Sequence, residues 1–366
     1  MRVLRGVHGL LGVAAIALVA GCHKEVEDVP LLKRTIGISD KFYDVHAIDA
    51  EKAIVVGYSG KILLTTDAGF TWTQPTSGTN RALYRVRFVD PETGWVSGQE
   101  GLILHTTDGG KTWVRQKTGT SVYLFSLSFI DRNRGWAIGD KSILVQTTDG
   151  GGTWSLHKIT TAAQKEVSAE EAIASADPVL YDVQFVDENT GWVVGEFGKI
   201  YHSADGGQTW NEQQLSLIGA EVVDALDLPT FFGVRFIDAR TGLAAGLDGK
   251  IARTTDAGTS WKFEKMKLEY PIVDPLYNPA LFPDGGGWAT GAAGEVVHLD
   301  TATGAATEGQ LDAATGAWQR AKLGMEVITW LRGMSWLDHD NGWIVGGLGL
   351  ILHTKDGGKT WIPSLG

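Results

Sequence analysis

The chain has 366 residues and one cysteine, Cys22, so no disulfide can form within it and the fold must rest on its core. Long apolar runs are missing too. The longest, residues 10–20, is too short to cross a bilayer as a helix. Positive charge is scarce: 32 Lys and Arg against 43 Asp and Glu give a formal net charge of −11. Phosphate contacts need clustered basic side chains, so this balance argues against a nucleic-acid partner. No metal-ligand cluster, phosphate-binding loop, nucleophile-elbow serine or dinucleotide glycine motif stands out, and neither a metal nor another cofactor is expected.

The single cysteine falls at an informative place. Arg2 and Arg5 precede the apolar run, and Val19-Ala20-Gly21-Cys22 matches a bacterial lipobox. Residues 1–21 therefore read as a lipoprotein signal peptide, Cys22 as the lipidated residue and residues 22–39 as a short tether. Removing the leader takes away Arg2 and Arg5 and moves the formal charge from −11 to −13. With His23 after Cys22, the expected location is the periplasmic side of the outer membrane, with the lipid as the only membrane contact.

Glycine and tryptophan are abundant, at 48 and 14 residues, and both are placed by a repeat. The phrase Thr-x-Asp-x-Gly-x-x-Trp ends at Trp72, Trp113, Trp154, Trp210 (with Ser203 for Thr), Trp261 and Trp361, and a degenerate copy ends at Trp318. A second set, Trp95, Trp136, Trp192, Trp288 and Trp343, follows a glycine one strand earlier; only Trp330 and Trp336 belong to neither set. Aromatics placed by repeat phase are packing residues first. Each unit reads as four strands, in the second unit residues 83–89, 94–98, 102–107 and 112–116, with a Gly-x-x-Gly spacer supplying positive φ angles to a hairpin. Seven such units close a ring, so residues 40–366 predict an all-β, seven-bladed β-propeller of four-stranded blades with Asp-box turns.

Departures from the repeat locate candidate sites. Closing tryptophans lie 41 residues apart at first, then 56, 51, 57 and 43. The extra length falls at 155–179, 211–230 and 262–275, all on the face of the Gly-x-x-Gly hairpins, taken as the top, where a binding wall is expected. Capping-box patterns predict a helix over 162–176, and Ile218, Val222 and Leu226 form one apolar stripe. The insertion at 301–317 reads as decoration on the opposite face.

Aligned first strands give two polar columns near the channel: Asp44, Arg85, Ser126, Asp182, Gly233, Asn278 and Gly333, then His46, Arg87, Ser128, Gln184, Arg235, Ala280 and Ser335. Arg81, Arg85 and Arg87 are the densest basic cluster. Guanidinium groups bind carboxylates bidentately, which suits an acidic loop or C-terminus of a protein partner. Arg81, Arg85, Arg87, Arg235, His46, Asp182, Glu100 and Lys141 are the candidate partner-binding residues. The plainer alternative is that the arginines pair internally with Asp44 and Asp182.

The repeated phrase is the Asp-box, or bacterial neuraminidase repeat. Its aspartates, Asp67, Asp108, Asp149, Asp205, Asp256 and Asp356, are expected to be structural, accepting backbone N–H bonds within their turns. Sialidases and xyloglucanases carry the box, so a carbohydrate-active propeller is the rival reading, though no Arg-Ile-Pro motif is present. The longer phrase Phe-[Val/Ile]-Asp-x-x-x-Gly-Trp-x-x-Gly-x-x-Gly, continued through the box at residues 88–113, 129–154, 185–210 and 236–261, resembles the photosystem II stability/assembly factor-like family. That resemblance covers nearly all of residues 40–366. It implies a non-enzymatic propeller that holds a subunit of a membrane complex during assembly, with an arginine patch on its binding face and, in cyanobacterial members, a lipid anchor; separately, the chain is expected to be a monomer.

Overall fold

The phrase Phe-x-Asp-x-x-x-Gly-Trp folds as a hairpin in which the aromatic ring covers the glycine. Phe88 pairs across the strands with Gly94, and a Cβ added to Gly94 would meet the Phe88 ring at 2.7 Å. A glycine weakens a strand, and the ring restores the missing packing. Trp336 takes the phenylalanine's place over Gly342. Trp330, the other tryptophan outside the repeat sets, stacks on Tyr43 with centroids 5.5 Å apart.

The computed structural model describes residues 35–160, 177–218, 227–299 and 316–364. Their strands form seven antiparallel sheets, each built from consecutive strands. Blade 2 is typical, with Leu83–Phe88, Gly94–Gly98, Ile103–Thr106 and Val114–Gln116. The first strand of each blade packs against the first strand of the next, from Phe42–Ala47 around to Leu331–Trp336 and back. This is the seven-bladed propeller that the repeat predicts. Blade 1 has three strands, its fourth reduced to the bridge between Leu64 and Thr73. The ring closes without a strand shared between the two end blades: Trp343, Val345 and Ile351 of blade 7 pack on Phe42, Val45 and Leu63 of blade 1, with Ile36 in the same cluster. Among the described residues no helix is long and apolar enough to cross a membrane.

The two faces are built differently. Each Asp-box rests on the first turn of its own blade, as in Gly109 N–H to Glu92 O at 2.8 Å and Gly150 N–H to Asn133 O at 2.8 Å. Within the box Asp108 accepts the Thr112 N–H at 2.9 Å and its hydroxyl at 2.6 Å, while the Thr106 Oγ accepts the Gly110 N–H at 3.0 Å. The same bonds recur at Asp67, Asp149, Asp205, Asp256 (through Ser260) and Asp356.

At the opposite face the spacer departs from expectation. The positive φ angles fall on the second of the two intervening residues and on the second glycine, as in Ser59 at 57° and Gly60 at 72°, the pattern of a type I′ turn. The first glycine is extended and needed for a different reason: a Cβ on Gly57 would lie 2.2 Å from the Lys41 carbonyl oxygen.

The insertions are shorter than the tryptophan spacing suggests, because residues Ser155–Lys158, Asn211–Glu212 and Lys262–Phe263 are the fourth strands of blades 3, 4 and 5. Gln214–Leu217 is a single 3-10 turn. The leader, Cys22, the helix expected over 162–176, Val222, Leu226 and nearly all of 301–317 lie outside the described residues.

Candidate binding site at the channel mouth

In every blade the first hairpin slips register by one residue. Phe42 opposes Gly57 and Asp44 opposes Val56, so Tyr43 is the extra residue of a β-bulge. A bulge re-aims a side chain, and here all seven point into the channel at its hairpin end. Tyr43, Tyr84, Phe125, Tyr181, Phe232, Tyr277 and Arg332 surround a space of only about 30 Å³. The rings touch in sequence, Tyr84 to Phe125 at 5.2 Å and Tyr181 to Phe232 at 4.9 Å. Arg332 completes the collar with its guanidinium 5.8 Å from Tyr43 and 5.6 Å from Tyr277, a cation–π arrangement. Room for about one water remains, so this end of the channel is closed to larger ligands.

Deeper in, the two polar columns satisfy the exposed edge of the neighbouring blade. Asp44 accepts the Val86 N–H at 3.0 Å, Asp182 the Val234 N–H at 3.0 Å, Ser128 the Phe185 N–H at 3.0 Å and Ser335 the Ala47 N–H at 3.0 Å. Gln184 bonds both the N–H and the carbonyl of Phe236 at 2.8 Å. Unpaired backbone on an innermost strand is costly, and these side chains supply the partner that an adjacent strand otherwise would.

Three arginines share this layer with two carboxylates. Arg85 is 7% exposed and bonds Asp182 through Nη2 and Ser126 at 3.2 Å. Arg87 donates to Asp44 at 2.8 Å. Arg235 has no ion pair within 4 Å among the described residues, and burial, then the neighbouring Arg87, push its guanidinium down to about 9. His46 is driven to about 3 by burial and by Arg87 and Arg235. Burial favours a neutral Asp182 carboxyl, but Arg85 and Arg235 outweigh it and hold the group below the usual range. Three guanidiniums against Asp44 and Asp182 leave one positive charge in excess.

That excess faces a cavity of about 570 Å³, lined on one side by His46, Arg87, Gln184 and Arg235 and on the other by Phe282, Pro283, Met334, Trp336 and Leu337. It opens where the first strands end, on the Asp-box face. Asp338 is the single carboxylate in its lining, and it is engaged by the N–H groups of Asp340 and Asn341 at 2.8 and 2.7 Å.

The candidate residues therefore divide. Arg87, Arg235 and His46 meet at this mouth. Arg85 and Asp182 are corrected to interior partners, because their charged atoms are buried and bonded to each other. Arg81 and Glu100 pair together at 2.7 Å near a blade 2 hairpin, and Lys141 sits on the tip of the blade 3 hairpin. The cavity opens away from the top face, where the insertions had placed binding. The aromatic collar escaped the sequence reading altogether, because a bulge breaks the two-residue alternation on which the columns were aligned. Its only signal was an aromatic directly before the first polar column in six of the seven strands.

Comparison with known proteins bears on these features. A family model described as photosynthesis system II assembly factor YCF48 matches residues 25–122 and 163–226. Photosystem II assembly protein Ycf48 of Synechococcus sp. (strain JA-3-3Ab) is 26% identical over 197 residues, 50% of this chain and 48% of that protein. Photosystem II assembly lipoprotein Ycf48 of Synechococcus sp. (strain CC9902) is 30% identical over 108 residues, 28% of each chain. Over these segments the chain is similar to photosystem II assembly factors, and its fold is the propeller they share. It spans about half the length of the curated relatives it matches first. A solved structure of YCF48 bound to a D1 peptide superposes with a TM-score of 0.58 at 17% identity, covering 92% of this chain and 89% of that one. At that identity the likeness is one of fold.

Proposed function

We propose that this chain is a lipid-anchored, non-catalytic and monomeric assembly factor that holds a carboxylate-bearing segment of a protein partner at the Asp-box mouth of its channel. The observation that carries the reading is the uncompensated charge of Arg235, next to the Asp44-paired Arg87, beside an apolar wall. A buried cation without a partner is unfavourable unless an anion completes it, and the wall of Phe282, Trp336 and Leu337 suits apolar side chains next to a terminal or side-chain carboxylate. The related propeller with a bound D1 peptide is a precedent for a peptide ligand from a membrane complex. Cys22 in its lipobox, together with a relative named as a lipoprotein, supports an exported chain held to the envelope by lipid, on the periplasmic side of the outer membrane. Glycoside hydrolysis is less well supported, since it calls for two carboxylates flanking the substrate and the cavity offers only Asp338. The test is titration of short apolar peptides with a free or an amidated C-terminus. Tighter binding of the free acid, lost in Arg235→Gln, is expected; equal binding of both forms in both proteins would overturn the assignment.

A further inference from the structure

The face opposite the cavity carries exposed apolar side chains on four consecutive blades. Leu247 at the blade 5 hairpin is followed by Val273 in the lead-in to blade 6, Ile328 in the lead-in to blade 7, Leu348 at the blade 7 hairpin, Ile38 in the lead-in to blade 1 and Tyr58 at the blade 1 hairpin. Hairpin and lead-in touch: the Gly249 N–H bonds the Asp274 carbonyl at 3.0 Å and the Gly349 N–H bonds the Asp40 carbonyl at 2.8 Å. The six residues therefore form one arc on one face. Ile38, Ile328 and Val273 are 78%, 77% and 74% exposed, so the propeller gains little by burying them.

Leu348 occupies the left-handed turn position at φ 57°, which a non-glycine residue fills in every blade, and there it leaves half of an apolar side chain exposed on this face.

The chain's own N-terminus says what covers this arc. Ile36 is buried between blades 7 and 1 and the Gly37 N–H bonds Asp40, so the segment from Cys22 reaches the propeller beside Ile38 and Leu348. Twelve residues separate Cys22 from Thr35, a reach of at most roughly 45 Å when extended. We infer that the arc from Leu247 to Tyr58 rests on the lipid bilayer surface, so that the anchored propeller stands with its hairpin face on the membrane and its channel mouth facing away. The inference rests on the lipid anchor proposed above: tethering raises the local concentration enough for a small apolar arc to hold an orientation that it would not hold from solution.

The experiment uses the full chain, purified with its lipid and reconstituted into phosphatidylethanolamine–phosphatidylglycerol vesicles containing a lipid-borne quencher. Mass spectrometry of Cys22 reports the anchor separately. With that thiol blocked as the lipid's thioether, Ile328→Cys or Lys359→Cys takes one environment-sensitive fluorophore on the hairpin or the Asp-box face. A blue-shifted, quenched probe at position 328 and an unaffected one at 359 are expected. Leu348→Asp should reverse much of the quenching at 328, in protein shown by its melting curve to be folded. Lipidated protein with both probes unquenched, or with only 359 quenched, overturns the orientation while leaving the anchor intact. Protection at 328 that needs an added membrane protein overturns it in favour of a protein partner. If Cys22 carries no lipid, the anchor fails, and an unquenched 328 probe on the same vesicles then overturns this inference as well.

Discussion

Trp95 of blade 2 lies flat on Phe129 of blade 3, with ring centroids 3.7 Å apart and planes 5° from parallel. The Trp95 Nε1–H donates to the Gly150 carbonyl in the Asp-box of blade 3 at 3.1 Å, and Trp154 closes edge-on against Phe129 at 6.0 Å. The pattern repeats with Trp136 on Phe185 and Trp192 on Phe236. One motif residue thus packs, bonds and registers the next blade, which is why the compound phrase rather than the box alone identifies the fold.

Replacement of Trp95 by alanine should destabilise the propeller by about 3–5 kcal/mol, the usual loss for a large buried aromatic. Trp95 is fully buried, and its removal uncovers the Phe129 face and leaves the Gly150 carbonyl with the Gln116 amide as its remaining side-chain donor. Denaturant unfolding checks this. A loss no larger than that of a surface substitution such as Val114→Ala would show that the stack does not hold the blades.

Asp108→Ala should cost less, about 1–2 kcal/mol, because it removes the acceptor of the Thr112 and Lys111 amides in a turn that is partly open to water. Asp108→Asn, which keeps an acceptor, should recover part of the loss. An identical effect of both variants would mean that the turn is held by Thr106 and Gly110 instead.

Stability should fall on acidification in two stages. His46 and His353 are held at about 3 and about 4, chiefly by burial. Their folded values lie below the unfolded one, so their contribution is complete above about 6.5 and is lost as pH drops toward 4 and 3. The Asp-box carboxyls follow. Burial alone would raise Asp108, but the bonds from Thr112 and Thr106 hold it at about 2, so its contribution persists above about 3.9 and disappears as pH falls through 2. The melting temperature measured from pH 7.5 to pH 5 should already decline, and His46→Gln should flatten that first slope. A flat profile down to pH 5 would contradict the assignment of His46 as neutral and buried.

The blades were legible because tryptophan, glycine and the Asp-box recur at fixed phase, and each has a local physical reason to do so. The site was less legible. Aligning first strands brought Arg87, Arg235 and His46 into one column, as found, yet alignment cannot distinguish a guanidinium that meets a carboxylate from one that does not. Arg85 and Arg87 lie two residues apart on the same strand. Only the arrangement of blades 1 and 4 around them places Asp182 against the first and Asp44 against the second. The collar was hidden for another reason: its residues belong to bulges, whose extra residue leaves no mark in an alternating pattern. Loop length directed attention to the hairpin side, whereas the cavity forms on the other face, where blades 6 and 7 place Phe282 and Trp336.

Arg85 and Arg235 supply the sharpest contrast between structure and function. Arg85→Gln leaves Asp182 and Asp44 buried with less positive charge than they need, and removing one partner of a buried pair costs about 3–5 kcal/mol. The melting temperature should therefore drop substantially, and any loss of peptide binding should follow the loss of folded protein. Arg235→Gln removes a charge that is depressed to about 9 and has no ion-pair partner within 4 Å among the described residues, so the melting temperature should hold or rise. Binding of a free-carboxylate peptide should nevertheless weaken, and Arg235→Lys should restore part of it by returning the charge without the planar fork. If Arg235→Gln unfolds the domain while Arg85→Gln is silent, the excess charge lies on the other arginine, and the carboxylate site belongs with it.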